Sequence, residues 1–166
     1  AAMAAELLGA GRPVFGGFPE NRSDTIPLVE IVAAIEARVR DLGATTVLLP
    51  SPASLNVDHR NSFEAGVTAL RPTPGLSVSR ILAYEIISST DWAPQMHWDV
   101  FRPNVFVDIA EFVPLKEKAL RLYGDDMRDP PHARSIDSVA GLARRRGATV
   151  GMFAAEAFEL VRETVA

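Results

Sequence analysis

The chain has 166 residues, about the length of a single domain. Its net charge of −4 argues against non-specific nucleic-acid binding, which needs Lys and Arg to neutralise phosphates. No cysteine occurs, which removes disulfides, thiolate metal sites and thiol nucleophiles together and fits a reducing, cytoplasmic setting; no apolar run reaches the ~18 residues of a membrane span.

Taken in chain order, Ala1 to Ala10 reads as the end of a helix with Gly9 as its stop. Either a short helix starts the fold or a segment precedes it. Pro13 to Pro19 reads as a short strand running into a loop. Ser23 or Asp24 is a candidate cap for the next helix, with Pro27 in its first turn. Leu28, Ile31, Val32, Ile35 and Val39 then follow helical spacing up to Gly43. Thr45 to Leu49 is apolar and β-branched with little alternation, as in a strand covered on both faces. Strand, helix and strand in succession imply a parallel crossover. A loop over 51–57 precedes a helix from about Asp58 to Leu70. Val78 to Ile87 is strand-like, and Ser88 to Asn104 is a long loop bearing Trp92, His97 and Trp98. Val105 to Ile109 is a further strand. Pro114 starts a helix through about Met127, and Ser135 caps one that ends near Gly147. The tail, Ala154 to Val161, has a helix-favouring composition but also suits a closing strand.

The chemistry-bearing residues gather in a few places. Asn56-Val57-Asp58-His59-Arg60 sets an imidazole beside a carboxylate just beyond a buried strand, where ligands of α/β folds bind. A neighbouring carboxylate can fix the tautomer of a metal-bound His; the plainer alternative is an N-cap followed by a surface His. Pro131-His132-Ala133-Arg134-Ser135 is stiffened by proline, and Arg134 at a helix start suits a phosphate or carboxylate. An ordinary capped helix with exposed basic residues is the alternative. The aromatic residues of the long loop suit stacking on sugar rings or packing onto the core. Glu85, at a strand end, is a substrate-binding candidate if buried. There is no P-loop, no GxGxxG and no Ser nucleophile elbow.

The order of Asn56-Val57-Asp58-His59-Arg60, Ala69-Leu70-Arg71-Pro72, Ile81-Leu82-Ala83-Tyr84-Glu85 with Ser88-Ser89-Thr90-Asp91-Trp92, Arg102 to Ile109, Lys116 to Tyr123 and Pro131 to Ser135 resembles the LmbE-like deacetylases, relatives of the GlcNAc-phosphatidylinositol de-N-acetylases. Arg146-Gly147 and Ala155-Glu156-Ala157-Phe158 extend it, so that it spans nearly the whole chain. The resemblance implies an α/β, Rossmann-like three-layer fold with a mainly parallel sheet, in one domain over residues 1–166. It implies a hydrolase that removes an N-acyl group, usually acetyl, from an amino sugar with one Zn2+ ion. By the same resemblance His59 is a zinc ligand, Asp58 its orienting carboxylate, and Asn56, Arg60, Glu85, Trp92, Arg134 and Ser135 border the substrate. His132 takes a part similar to the oxyanion-assisting His that many members carry at the place of Asn56.

Two departures shape the expectation. The family's His-Pro-Asp-Asp motif, with two zinc ligands and the general base, does not occur in this sequence, nor do the His and Asp often found in the loop Ser51-Pro52-Ala53-Ser54. A catalytic zinc takes about three protein ligands and an open position for water. The expectation is therefore an N-terminally incomplete domain, lacking its first strand and metal motif, with little or no activity by itself. The alternative is a non-catalytic, sugar-binding or subunit relative. A small amino-sugar partner is expected, without nucleic acid or membrane span, and homo-oligomerisation is left open.

Overall fold

The computed structural model describes residues 1–96 and 100–165, so His97 and Trp98 lie outside the described residues. The chain forms two compact units. One runs from Gly16 to Val105 and takes up the chain again from Phe158; the other comprises Ala1–Phe15 and Phe106–Ala157.

In the first unit, α2 (Leu28–Leu42) buries Ile31, Val32 and Val39 along one stripe and stops at Gly43, whose φ of 57° suits a residue without a Cβ. Strand β1 (Thr46–Pro50) follows, then α3 (Val57–Ala69) and β2 (Arg80–Tyr84). β1 and β2 are parallel, with Thr46 opposite Arg80 and Pro50 opposite Tyr84. The crossover expected from the pattern is therefore present, with α3 as its helix. Helix α3 packs on both α2 and β1. It presents small residues, Ala65, Gly66 and Ala69, at the contact. A Cβ at Gly66 would come within 2.5 Å of Leu49 Cδ2, so the glycine is what lets helix and strand approach this closely. The core of the unit joins Ile31, Val32, Ala65 and Ala69 on one side and Val39, Leu49, Leu70 and Ile81 on the other.

Strand β4 (Ala155–Glu163) runs antiparallel to β2, with Arg80 opposite Glu163 and Tyr84 opposite Phe158. Strand β3 is Val105–Asp108, and the sheet order is β1-β2-β4-β3. The fold is thus mixed α/β with a four-stranded mixed sheet, a correction to the mainly parallel sheet expected. The cause lies in the tail, which takes the closing-strand reading rather than the helical one and runs antiparallel to β2.

The second unit holds α1 (Ala2–Leu7), α4 (Val113–Arg121) and α5 (Ile136–Ala148). Its core gathers Ile109, Val113, Ala143 and Ala154. Lys116 pairs with Glu156 at 2.6 Å.

Four local expectations need correction. Residues 13–19 form no strand; Val14 and Phe15 are 63% and 78% exposed, and an extended segment without a ladder partner gains no strand hydrogen bonds. Ser23 and Asp24 belong to a separate 3-10 turn (Ser23–Thr25), and Pro27 takes the N-cap position of α2. β1 is covered on one face only: Leu49 is buried under α3 while Leu48 is 51% exposed. Helix α4 ends at Arg121, short of Met127, and a 3-10 turn at Gly124–Asp126 follows it.

Candidate active site

The loop between β1 and α3 is built from short side chains that bind their own backbone. Ser51, buried, accepts the amide of Ala53. Asn56 is the N-cap of α3: its Oδ1 accepts the amide of Asp58 at 2.7 Å, and its Nδ2 donates to Asn21 Oδ1 at 3.0 Å. The helix therefore starts one residue before Asp58, which is not its cap. The loop is also tied to the one after β2, since the Leu55 amide donates to the Ser89 carbonyl and the Ser51 amide to that of Tyr84.

Asp58 uses both carboxylate oxygens. Oδ2 accepts the amide of Asn21 at 2.6 Å and Oδ1 that of Ser23 at 3.0 Å. Burial works to raise the pKa of Asp58. The Ser23 amide and hydroxyl, the Asn21 amide and the nearby His59 outweigh it, and the carboxyl titrates below its ordinary range. Asp58 thus fastens residues 21–23 to the start of α3, and the hydrogen-bond partner of His59 is another residue. Ser54 Oγ lies 2.9 Å from His59 Nδ1, while Nε2 has no partner among the described residues. Burial lowers the pKa of His59, the Asp58 charge opposes that shift and the Arg60 charge adds to it, so the neutral imidazole is favoured. Arg60 is exposed and spends Nη1 on the carbonyls of Ser54 and Leu55, both at 2.7 Å.

Beyond β2, Glu85 is half-buried and Trp92 is 54% exposed. The loop between them is closed by the Ile86 amide donating to buried Thr90 Oγ1 and the Ser88 amide donating to Asp91. Asn56, Asp58, His59, Arg60, Glu85 and Trp92 share one unit; His132, Arg134 and Ser135 belong to the other. There, Ser135 is buried and caps α5, accepting the Ser138 amide at 3.1 Å. His132 Nδ1 accepts the Arg134 amide at 3.0 Å. The Arg134 Nε is buried without a hydrogen-bond partner among the described residues. Ser54, Asn21 and Ser23 escape a reading of the sequence. Ser54 sits five residues before His59, but only the loop path brings them together, and Asp58 is 35 residues from Ser23.

The donor set is short for a metal. Among the described residues no group of three or more His, Asp or Glu is placed to hold an ion. The oxygens of Asp58 and Nδ1 of His59 are already engaged. The described residues do not fit a zinc site by themselves. No helix among them is long and apolar enough to cross a membrane.

Compared as a sequence, the chain matches no protein-family model and no curated protein. Solved structures do match. A conserved protein from Thermus thermophilus is similar at TM-score 0.76 and 22% identity, over 99% of this chain and 72% of that one. An N,N'-diacetylchitobiose deacetylase from Pyrococcus horikoshii is similar at TM-score 0.70 and 19% identity, over 96% of this chain and 61% of that one. A 4-carboxy-2-hydroxymuconate hydratase from Pseudomonas putida is similar at TM-score 0.72 and 20% identity, over 99% and 70%. The chain has the LmbE-like fold that its sequence resembles.

Proposed function

We propose that the chain is part of an amide hydrolase of the N-deacetylase type, acting on an N-acetylated amino sugar or glycoconjugate. The observation that carries this reading is His59. It stands in the first turn of α3, beyond the carboxyl end of a parallel strand, with Nε2 unengaged among the described residues. The fold around it is shared with a protein named a diacetylchitobiose deacetylase. It is also shared with one named a hydratase, so the fold alone does not select the reaction. In this reading His59 faces the acyl group and Asn56, Arg60, Glu85 and Trp92 border the sugar. Asp58 acts by holding the loop that carries the imidazole. His132, Arg134 and Ser135 belong to the other compact unit and take no part in this reading.

Zinc enters only through the resemblance to the LmbE-like family. When bound, such an ion supplies an activated water and polarises the carbonyl. The described residues do not make a set for it, and no step above passes through it. That shortage favours a second reading, a sugar-binding relative without turnover.

Calorimetric titration of the chain with N-acetylglucosamine and with glucosamine tests the shared part. Tighter binding of the acetylated sugar is expected; equal binding, or none, contradicts it. Acetate release separates the two readings. Little or no turnover is expected of this chain alone, and turnover with one zinc per chain would contradict that expectation and remove the second reading.

A further inference from the structure

The hydrogen bonds around His59 decide which ring nitrogen carries the proton in the neutral form. A serine hydroxyl has one hydrogen to give and two lone pairs to receive with. One lone pair of Ser54 Oγ receives the backbone N–H of Asn56 at 3.3 Å. Its other contact is His59 Nδ1 at 2.9 Å, and among the described residues these are the two hydrogen-bond partners of a residue only 5% exposed. Were the hydrogen on Nδ1, the oxygen would receive twice and its own O–H would meet nothing. With the hydroxyl donating to Nδ1, the buried hydroxyl and Nδ1 are both matched, and the ring hydrogen sits on Nε2, the nitrogen left unengaged among the described residues. A buried donor without a partner is the costlier arrangement. Nothing nearby reverses this. Asp58 is committed to the amides of Asn21 and Ser23. Arg60 holds the Ser54 and Leu55 carbonyls, which fixes the loop around the hydroxyl.

We propose that Ser54 holds neutral His59 as the Nε2–H tautomer, so that the imidazole offers a hydrogen-bond donor to the carbonyl or carboxylate oxygen of an acyl group, in place of the lone pair a metal requires. A metal-bound imidazole needs a bare nitrogen. Here the bare nitrogen is Nδ1, and the serine occupies it. Ser54 is a positioning residue that acts through His59. The class of ligand rests on the function proposed above; the tautomer does not.

Nitrogen-15 spectra of the whole chain, labelled at its three histidines and recorded at pH about 8, read the tautomer directly. His59→Gln, His97→Gln and His132→Gln assign the signals. His132 is an internal reference, since its Nδ1 accepts a backbone N–H and its neutral form must carry hydrogen on Nε2. His59 is expected to show the same pattern, with the Nε2–H form in excess by about tenfold or more, from the cost of an orphaned buried donor. Ser54→Ala is expected to relax that excess toward a mixture, while Ser54→Thr retains it and His132 is unchanged in both. Acetate is expected to shift the His59 Nε2–H signal, and zinc at one equivalent to leave the His59 pattern as it was. Hydrogen on Nδ1 in the unmodified chain would overturn the proposal whether or not the variants fold. So would an unchanged excess in Ser54→Ala, no response to acetate, or zinc coordinating Nε2. If the tautomer fails while the acetylated sugar is still preferred, the donor is wrong and the functional reading stands. If the tautomer holds and that preference is absent, the reverse follows.

Discussion

Asp58→Asn probes the tether that shapes the candidate site. The carboxylate receives two backbone amides, from Asn21 at 2.6 Å and Ser23 at 3.0 Å. An asparagine keeps one acceptor oxygen and turns an NH2 group toward the other amide, so one charge-assisted bond is lost and two donors face each other. Such bonds contribute about 1.5–3 kcal/mol. The Asn21 bond is exposed and the Ser23 bond is partly buried, which places the loss near the lower end, about 1.5–2 kcal/mol. For a chain of 166 residues that corresponds to a fall in Tm of roughly 3–8 °C. Asp58→Ala loses both acceptors and is expected to fall further. Urea unfolding followed by far-UV circular dichroism measures both, with the midpoint moving and the slope unchanged. The pH dependence adds a second signature. The folded pKa of Asp58 is depressed, so its stabilisation is complete above its unfolded value of about 3.9 and is lost as pH falls through the lower folded value. The acid limb of the stability profile is therefore shallower in Asp58→Asn. Midpoints within the ~0.5 kcal/mol of an ordinary surface change, with an unaltered acid limb, would refute the tether.

Two further outcomes test the packing and the charge at the site. A Cβ at Gly147 would meet Met152 O at 2.7 Å and Ala154 N and Cα at 2.8 Å, all backbone that cannot turn aside, so Gly147→Ala is expected to cost about 2 kcal/mol. Gly141, in the same helix, has nothing within 4 Å, and Gly141→Ala is expected to gain about 0.5–1 kcal/mol; thermal unfolding reads both signs. The folded pKa of His59 is lowered, so the unfolded chain takes up a proton first as pH falls below about 6.5. Stability is expected to decline with falling pH in that range until the folded pKa is passed, and His59→Gln is expected to flatten this part of the profile in urea titrations at successive pH values.

The elements with strong local patterns were legible in the sequence. α2 follows from Ile31, Val32, Ile35 and Val39 with Gly43 as its stop, and α5 from Ser135 at its cap. β1, β2 and β3 each fall within a residue or a few of their expected bounds. The misses depend on partners distant in the chain. Residues 13–19 have the composition of a strand, but a strand exists only with a ladder to join. The tail, by contrast, leaves helix and closing strand open by composition, and pairing of Ala155–Glu163 with residues 80–84 selects the strand. At the site, the position of His59 beyond β1 was legible from Val47-Leu48-Leu49-Pro50 ahead of it. Its hydrogen-bond partner was not, because the adjacent Asp58 is the nearer candidate in sequence. The structure turns that carboxylate to Asn21 and Ser23 and brings Ser54 to the ring. Adjacent residues at a helix start point in different directions, and only i,i+3 and i,i+4 pairs share a face.

The claim that the rest depends on is that His59 borders a bound acyl group. Titrating His59→Gln and the unaltered chain side by side with N-acetylglucosamine and glucosamine tests it most directly. The account predicts that the unaltered chain prefers the acetylated sugar and that His59→Gln binds the two alike while unfolding as a well-packed chain. An unchanged preference in His59→Gln would contradict it.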